Sequence, residues 1–313
     1  MNKRILGSTG LEVSEIGFGA WQLCNSDSWG GMDEQTALRL VDAAIAGGIN
    51  LFDTAPNYAA TRSERILGKA LKNRRDKVVL VSKFGHTPAG PKEFSVDWFW
   101  KSLDASLDRL QTEYLDVLLL HNPPGELYAG TDPVWAALEE ARVQGKIRHY
   151  GASLDFAAEV EDCLANTGSE VLEVLFNVFH QDVRRAFATV RERQAGIITK
   201  VPLDSGWLTG RFDADSRFEG IRSRWSAGEI AQRAELVAAI QWLVEDGSEL
   251  AHKAIGYLLS YDEVSCVIPG IRTPQQLESN LAATNHRLSP DERERLEAFW
   301  DRFTANGAKL LPW

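Results

Sequence analysis

Short apolar segments alternate with amphipathic helical segments along almost the whole chain, and this alternation constrains the fold more than any other feature. Each apolar run has the length of a buried strand, and each following segment repeats apolar residues at helical spacing. Capping residues and glycines separate the segments, as Asp33 and Gly47 do around the first helix. The predicted strands are 15–20, 49–53, 77–83, 114–121, 147–153, 171–177, 196–201 and 264–268.

Strands linked mostly by helices predict an α/β fold, most economically a closed (β/α)8 TIM barrel. A doubly wound open sheet is the alternative, but residues 17–22 lack the third glycine of a dinucleotide fingerprint and do not open a helix directly. With no low-complexity linker, we expect a single domain over residues 1–313. The other predicted elements are an N-terminal β-hairpin from strands 4–6 and 12–14 and extra helices over 229–244 and after Ser248, Thr273 and Ser289.

Composition excludes several classes of function. The net charge of −10 and the absence of a Lys/Arg block disfavour nucleic acid and anionic membranes as partners. The three cysteines, Cys24, Cys163 and Cys266, lie far apart and form no metal or disulfide motif, which fits a reducing compartment. We see no membrane-spanning run and no signal-peptide segment at the start of the sequence, so we expect a cytoplasmic protein.

Three consecutive predicted strands end on ionisable residues, which are Asp53, Lys83 and His121. Active sites of such barrels lie at the carboxyl ends of the strands. Adjacent strands are ~4.8 Å apart, so these side chains can converge, and Tyr58 can reach them from the loop after Asp53. Taken singly, each residue is explained as well by a turn, a cap or a solvated surface. Together they point to a site, because a buried lysine and aspartate are costly unless paired.

This combination suits proton transfer to a carbonyl oxygen. A tyrosine is a poor proton carrier at neutral pH unless a cation lies close to its hydroxyl. We expect Lys83, held by Asp53, to supply that cation and to lower the pKa of Tyr58. A neutral His121 would donate a hydrogen bond to the substrate oxygen. None of these residues supplies a hydride, so a cofactor is required.

Several segments, in order along nearly the whole chain, carry a resemblance to a known family. Residues 48–58 and 63–71 are similar to the aldo-keto reductase signature, as are 81–84, 106–123 and 268–280. The resemblance implies a (β/α)8 barrel that binds NADPH in extended form and reduces aldehydes or ketones. It assigns Tyr58 as general acid, Lys83 and Asp53 as the pair that tunes it, and His121 as the substrate-orienting residue.

The resemblance also implies where the cofactor lies. The pyrophosphate is expected at the glycine-rich loop 203–211, although an ordinary surface loop could have the same composition. The adenosine 2′-phosphate is expected near Arg272, which favours NADPH, with NADH as the alternative; Gln276 there also fits a helix-capping role. The implied cofactor-binding residues are Trp21, Asp53, Ser153, Glu173, Lys200, Leu203, Ser205, Gly206, Leu208, Gly210, Gly270, Arg272, Gln276 and Asn280.

Three positions around the expected nicotinamide ring depart from the family pattern. Ser153 is followed by Leu154 where the family has asparagine, Glu173 replaces a glutamine, and Lys200 replaces the aromatic residue that stacks on the ring. Glu173 could still accept a hydrogen bond from the carboxamide. Because Glu173 and Lys200 lie at the ends of adjacent strands, they could also form an ion pair. These changes are consistent with either of two alternatives, a retuned nicotinamide pocket or weak or altered cofactor use.

The expected substrate is a small carbonyl compound, contacted by Trp29, Phe84, His121 and Asn122, with the tail 309–313 folding over the mouth or packing elsewhere. The leading hypothesis is an NAD(P)H-dependent reductase or its reverse. A dinucleotide-binding sensor or scaffold subunit with little turnover is the alternative, motivated by the nicotinamide-pocket changes. A metal-dependent hydrolase using Asp53 and His121 is disfavoured, because the first strand lacks paired histidines, and no metal is expected.

Overall fold

A parallel sheet that curls on itself forms the centre of the protein. The computed structural model describes residues 1–25, 29–88 and 90–312. Within them the sheet has eight strands in chain order, and bridges from Ile16 to Val267 and from Gly19 to Gly270 join its two edges. The (β/α)8 prediction is therefore confirmed. The strands are β3 (Phe18–Gly19), β4 (Leu51–Asp53), β5 (Val79–Phe84), β6 (Leu115–His121), β7 (Ile147–Leu154), β8 (Val171–Leu175), β9 (Gly196–Lys200) and β10 (Val264–Val267).

A two-stranded antiparallel hairpin, β1 (Lys3–Ile5) and β2 (Glu12–Ser14), precedes the barrel as predicted. Its side chains Leu6 and Val13 join the apolar cluster inside the barrel. Arg4 anchors it by donating hydrogen bonds to the carbonyls of Leu259, Tyr261 and Val264. The hairpin therefore closes the end of the barrel at which the strands begin.

Helices cover the outside of the sheet. Their starts follow the predicted capping residues: Asp33, Ser95, Asp132 and Ser289 each accept a hydrogen bond from the first helical turn. Ser248 does not cap its helix, which begins one residue later than expected, after Glu249. The helices are α1 (Glu34–Ala46), α2 (Arg62–Ala70), α3 (Val96–Leu110), α4 (Pro133–Val143), α5 (Ala157–Asn166), α6 (Phe187–Arg193), α7 (Ala227–Ala239), α8 (Leu250–Leu259), α9 (Pro274–Ala282) and α10 (Pro290–Phe303). Among the described residues, no helix is of a length and apolarity that would carry it across a membrane.

The alternation of side chains along each strand divides the apolar residues into two clusters. One fills the barrel and includes Leu51, Val81 and Leu119, and the larger one lies between the sheet and the helices. Successive residues on a strand point to opposite faces. Lys83 therefore shares the interior face with Val81, whereas Phe84 points towards the helices.

A buried ion pair ties α2 and α3 to the sheet. The fully buried Glu64 carboxylate accepts hydrogen bonds from Arg109 Nε at 2.6 Å and from Ser82 Oγ at 2.7 Å. Removing one partner of a buried pair leaves a charge without compensation, which costs more than losing an exposed pair.

We expect Arg109→Met to lower the free energy of unfolding by about 3 kcal/mol, because it leaves the buried Glu64 charge without its partner. Lys69→Met on α2, which breaks an exposed pair with Glu34, should cost less than about 1 kcal/mol. Urea unfolding measures both. The double variant Glu64→Gln/Arg109→Met should recover much of the loss, since glutamine still accepts from Ser82. Equal costs for the two single variants would contradict this assignment.

Candidate active site

The carboxyl ends of the strands place a layer of polar side chains at the open end of the barrel, here called the mouth layer. Asp53, Lys83, His121, Glu173 and Lys200 each follow an interior apolar residue by two positions, so strand alternation directs them inward. Ser153 of β7 is in register with both His121 and Glu173. The mouth layer consists of Asp53, Lys83, His121, Ser153, Glu173 and Lys200.

The structure brings together the four side chains that sequence reasoning grouped. Lys83 Nζ lies 2.5 Å from Asp53 Oδ1 and 3.3 Å from the Tyr58 hydroxyl. The Tyr58 and His121 rings meet edge to face, with centroids 5.9 Å apart. A phenol, an ammonium, a carboxylate and an imidazole thus share one small region at the mouth.

The electrostatic setting of Tyr58 differs from the expectation that Lys83 lowers its pKa. Burial raises the pKa of Tyr58, and the nearby carboxylates of Asp53 and Glu173 add to that effect. Lys83 opposes them without overcoming them. Burial acts to lower the pKa of Lys83, but Asp53 and Glu173 outweigh it and raise that pKa, so the lysine stays charged. The Tyr58 hydroxyl therefore keeps its proton, and it lies beside the permanently charged Lys83 amine.

Glu173 and Lys200 do not pair with each other as the sequence had suggested. Glu173 Oε2 lies 3.1 Å from Lys83 Nζ, and Lys200 Nζ lies 2.8 Å from Asp155 Oδ1. Ser153 Oγ bridges the two groups: it accepts from Lys200 at 2.8 Å and donates to Glu173 at 3.3 Å. The lysine is drawn to Asp155 because that carboxylate follows β7 at the rim, whereas Glu173 is buried next to Lys83.

His121 is held neutral. Burial, and then the positive charge of Lys83, lower the pKa of His121 well below its usual value. The ring of His86, which sequence reasoning did not single out, lies 4.4 Å from the ring of His121. Burial also lowers the pKa of His86 to about 4, with help from Lys92 and Lys200. Among the described residues the buried His121 Nδ1 has no hydrogen-bond partner.

The loop that was expected to hold a pyrophosphate is tightly folded. The backbone of Asp204, Ser205 and Gly206 is left-handed at three successive positions. The N–H groups of Gly206 and Leu208 both donate to the Leu203 carbonyl and that of Gly210 donates to Trp207, so these three groups are not free to bind a phosphate.

The guanidinium groups of Arg222 and Arg224 contact this loop at Ser205. Arg222 Nε donates to the Ser205 carbonyl at 2.7 Å, and its guanidinium stacks 4.8 Å from the ring of Trp29. Burial, and then the charges of Arg211, Arg272 and Arg224, lower the pKa of Arg222. Such clustered positive charge favours an anion. Sequence reasoning missed Arg222 because it lies outside the loop, in the short 3₁₀ helix Gly220–Arg224, whose position local patterns do not predict.

A cleft of about 760 Å³ lies beside the start of α9 and includes Arg272 and Gln276. The Gln276 side chain accepts a hydrogen bond from the Arg272 N–H at 2.8 Å, one residue before the N-cap Thr273, so it does not complete a capping box with the Thr273 N–H. Arg272 Nε and the buried Asn280 Nδ2 have no hydrogen-bond partners among the described residues. Gly270 lies against the side chain of Gln22. Of the two unpartnered donors, the Arg272 one belongs to a residue that lines the cleft.

Aromatic side chains line the mouth beside Tyr58. The rings of Trp21 and Trp29 meet edge to face at 5.3 Å, and Trp21 lies 6.3 Å from Tyr58. Phe84, predicted to contact substrate, does not: it is 2% exposed and packs between Phe94 and Phe99. The prediction failed because Phe84 follows the inward-pointing Lys83 and so faces the helices.

The rim on the other side of the mouth is formed by Asn122 and by part of the C-terminal tail. Asn122 Nδ2 donates to Asp155 at 2.9 Å. Leu310, Leu311 and Pro312 line a cavity of about 240 Å³ together with Asp155. The tail thus packs near the mouth, and Trp313 lies outside the described residues. Within the described residues, no group of three or more His, Cys, Asp or Glu side chains is arranged to hold a metal ion.

Comparisons with known proteins agree with this geometry. L-galactose dehydrogenase of Arabidopsis thaliana is 31% identical over 90% of this chain and 87% of its own length. The NADH-specific methylglyoxal reductase of Escherichia coli is 28% identical over 95% of this chain and 99% of its own. The holo form of aldo-keto reductase AKR11C1 from Bacillus halodurans superposes with a TM-score of 0.81, at 26% identity, covering 95% of this chain and 96% of that one. Residues 15–301 match the aldo/keto reductase family. The chain therefore belongs to the aldo/keto reductase family, whose members are oxidoreductases that act on carbonyl compounds.

Proposed function

We propose that the protein is an NAD(P)H-dependent oxidoreductase that reduces an aldehyde or ketone to an alcohol, or catalyses the reverse, with Tyr58 as general acid/base. One observation carries this proposal: the Tyr58 hydroxyl lies 3.3 Å from the charged Lys83 amine at the mouth of the barrel. A proton donor beside a fixed cation can release its proton to an oxygen that is gaining negative charge.

The residues of the chain divide the work as follows. Tyr58 Oη gives its proton to the substrate oxygen, and the resulting phenolate is stabilised by Lys83. Asp53, 2.5 Å from Lys83 Nζ, keeps that amine protonated and in place. The neutral His121 donates a hydrogen bond that orients the substrate oxygen. When bound, the nicotinamide supplies the hydride in the reducing direction.

The residues present fit a phosphorylated dinucleotide at its adenosine end. The unpartnered Arg272 Nε and Asn280 Nδ2 are donors suited to a 2′-phosphate, and Arg222 and Arg224, which contact Ser205, suit a pyrophosphate. This supports NADPH over NADH as the preferred cofactor. At the nicotinamide end, Ser153 and Glu173 would hold the carboxamide, and the stem of Lys200 would lie where the family has an aromatic ring.

We infer a small carbonyl compound as substrate, since Trp21 and Trp29 offer apolar surface beside Tyr58. A single domain over residues 1–313 is supported by an apolar cluster that runs from Ile16 to Leu311. A cytoplasmic location is supported by the three cysteines, all buried and free.

A dinucleotide-binding sensor or scaffold with little turnover is the second candidate. It is favoured by one observation: Lys200, Ser153 and Glu173 form a linked polar group where the family pattern places a stacked ring and an amide. Binding of NADPH without oxidation in the presence of a panel of aldehydes and ketones would support this second candidate over the first.

We expect Tyr58→Phe to lower turnover at least about 100-fold, because it removes the proton donor. Dinucleotide binding, followed by quenching of tryptophan fluorescence, should be unchanged. Tyr114→Phe serves as the control, because Tyr114 lies between Arg75 and Arg148 away from the mouth. The rate of loss of NADPH absorbance measures turnover, and full activity in Tyr58→Phe would end the assignment.

Arg272→Ala should weaken NADPH binding about 10-fold more than NADH binding, because only NADPH carries the 2′-phosphate. The measurement is a fluorescence titration with each dinucleotide. Arg295→Ala is the matched control, since that side chain stacks on Trp242 at 3.7 Å on the outer helix α10. An unchanged ratio of the two affinities would argue against a 2′-phosphate site at Arg272.

His121 should remain neutral between about pH 8 and 5.5, the range in which an ordinary histidine titrates. NMR of the histidine ring resonances tests this, with His121→Asn identifying the signal. Because the pKa of His121 is lower in the folded protein, the unfolded chain binds the extra proton as pH falls. His121 therefore reduces stability on acidification, and His121→Asn should lessen that loss. A His121 signal titrating at the usual pH would refute the burial argument.

A further inference from the structure

The Lys83 amine is enclosed by two carboxylates rather than one. Asp53 Oδ1 lies 2.5 Å away and Glu173 Oε2 lies 3.1 Å away, and the side chains of all three residues are at most 3% exposed. Two buried carboxylates against one ammonium leave an excess negative charge. Such a charge is expensive in the protein interior, and the usual remedy is to bind a proton.

The surrounding groups do not remove this excess charge. Ser153 donates only a neutral hydrogen bond to Glu173, at 3.3 Å. The charge of Lys200 is already matched by Asp155 at 2.8 Å. The neighbouring thiol of Cys266 is kept neutral, because burial and then the charge of Asp53 raise its pKa. The other titratable groups facing the cluster are Tyr58, which is protonated, and His121, which is neutral.

We propose that Asp53 and Glu173 share one proton, and that Glu173 is a positioning residue that acts through Lys83 to control how readily Tyr58 gives up its proton. This inference rests on the proposed role of Tyr58 as proton donor. Glu173 opposes that release in two ways. It draws part of the lysine's charge away from the phenol, and it adds negative potential where the phenolate must form.

The pKa directions support this arrangement. Burial, and then the charge of Glu173, raise the pKa of Asp53 well above its usual range, against the pull of Lys83. Because both carboxylates lie against the same buried ammonium, a proton taken up there belongs to the pair rather than to either residue. The resemblance to the family places an uncharged glutamine at this position, so Glu173 gives this chain a firmer hold on the Tyr58 proton.

The first test is NMR of protein carrying [13Cζ]tyrosine, without added dinucleotide, with Tyr58→Phe identifying the Tyr58 signal. In Glu173→Gln this signal should begin its phenolate shift at least about one pH unit lower than in the unsubstituted protein. Glu173→Asp, which keeps the charge, should titrate close to the unsubstituted protein. Glu170→Gln is the matched control, because Glu170 interacts with His149 at the opposite end of the barrel.

The second test detects the shared proton directly. With carboxyl carbons labelled in aspartate and glutamate, the unsubstituted protein should show a protonated carboxyl signal at neutral pH, and Glu173→Gln should lose it. An unchanged Tyr58 titration in Glu173→Gln, an equal shift in Glu170→Gln, or no protonated carboxyl at neutral pH would each overturn the inference. These outcomes do not depend on turnover. Full activity in Tyr58→Phe would instead reject the proposed function.

Discussion

The buried ion cluster of Lys83, Asp53 and Glu173 is the constraint on which the mouth of the barrel depends. A buried ammonium is tolerated only when its partners are close and correctly aimed, and here β4, β5 and β8 each supply one of the three groups. The strand registers therefore have to be right before the charges can be matched. The same cluster fixes the cation beside Tyr58, so one set of contacts stabilises the fold and shapes the site.

Much of this arrangement could be predicted from the sequence because strand periodicity is a strong signal. Asp53, Lys83 and His121 end successive apolar runs, and in the structure each continues the inward-facing side of its strand. The same rule, applied one residue further, would have placed Phe84 against the helices. Helix starts at Asp33, Ser95 and Ser289 were also readable, since each cap acts on its own first turn.

The rest depends on contacts between residues far apart in the chain, which local patterns do not encode. Glu173 has two neighbours of opposite charge within reach, Lys83 and Lys200, and only the depth of each side chain decides that it pairs with the first. Arg222 lies in the short 3₁₀ helix Gly220–Arg224, yet it reaches both Ser205 and Trp29. The sign of the Tyr58 pKa shift likewise depends on burial, which a sequence does not give.

The N-terminal hairpin has a consequence for how reactants meet the site. Leu6 and Val13 fill the barrel where its strands begin, and Arg4 anchors the hairpin by hydrogen bonds to the carbonyls of Tyr261 and Val264. The barrel is thus closed at its base by apolar side chains and is polar only at its rim. Water, dinucleotide and substrate must all enter at the mouth of the barrel. A molecule that fills the mouth therefore also excludes water from the ion cluster beneath it.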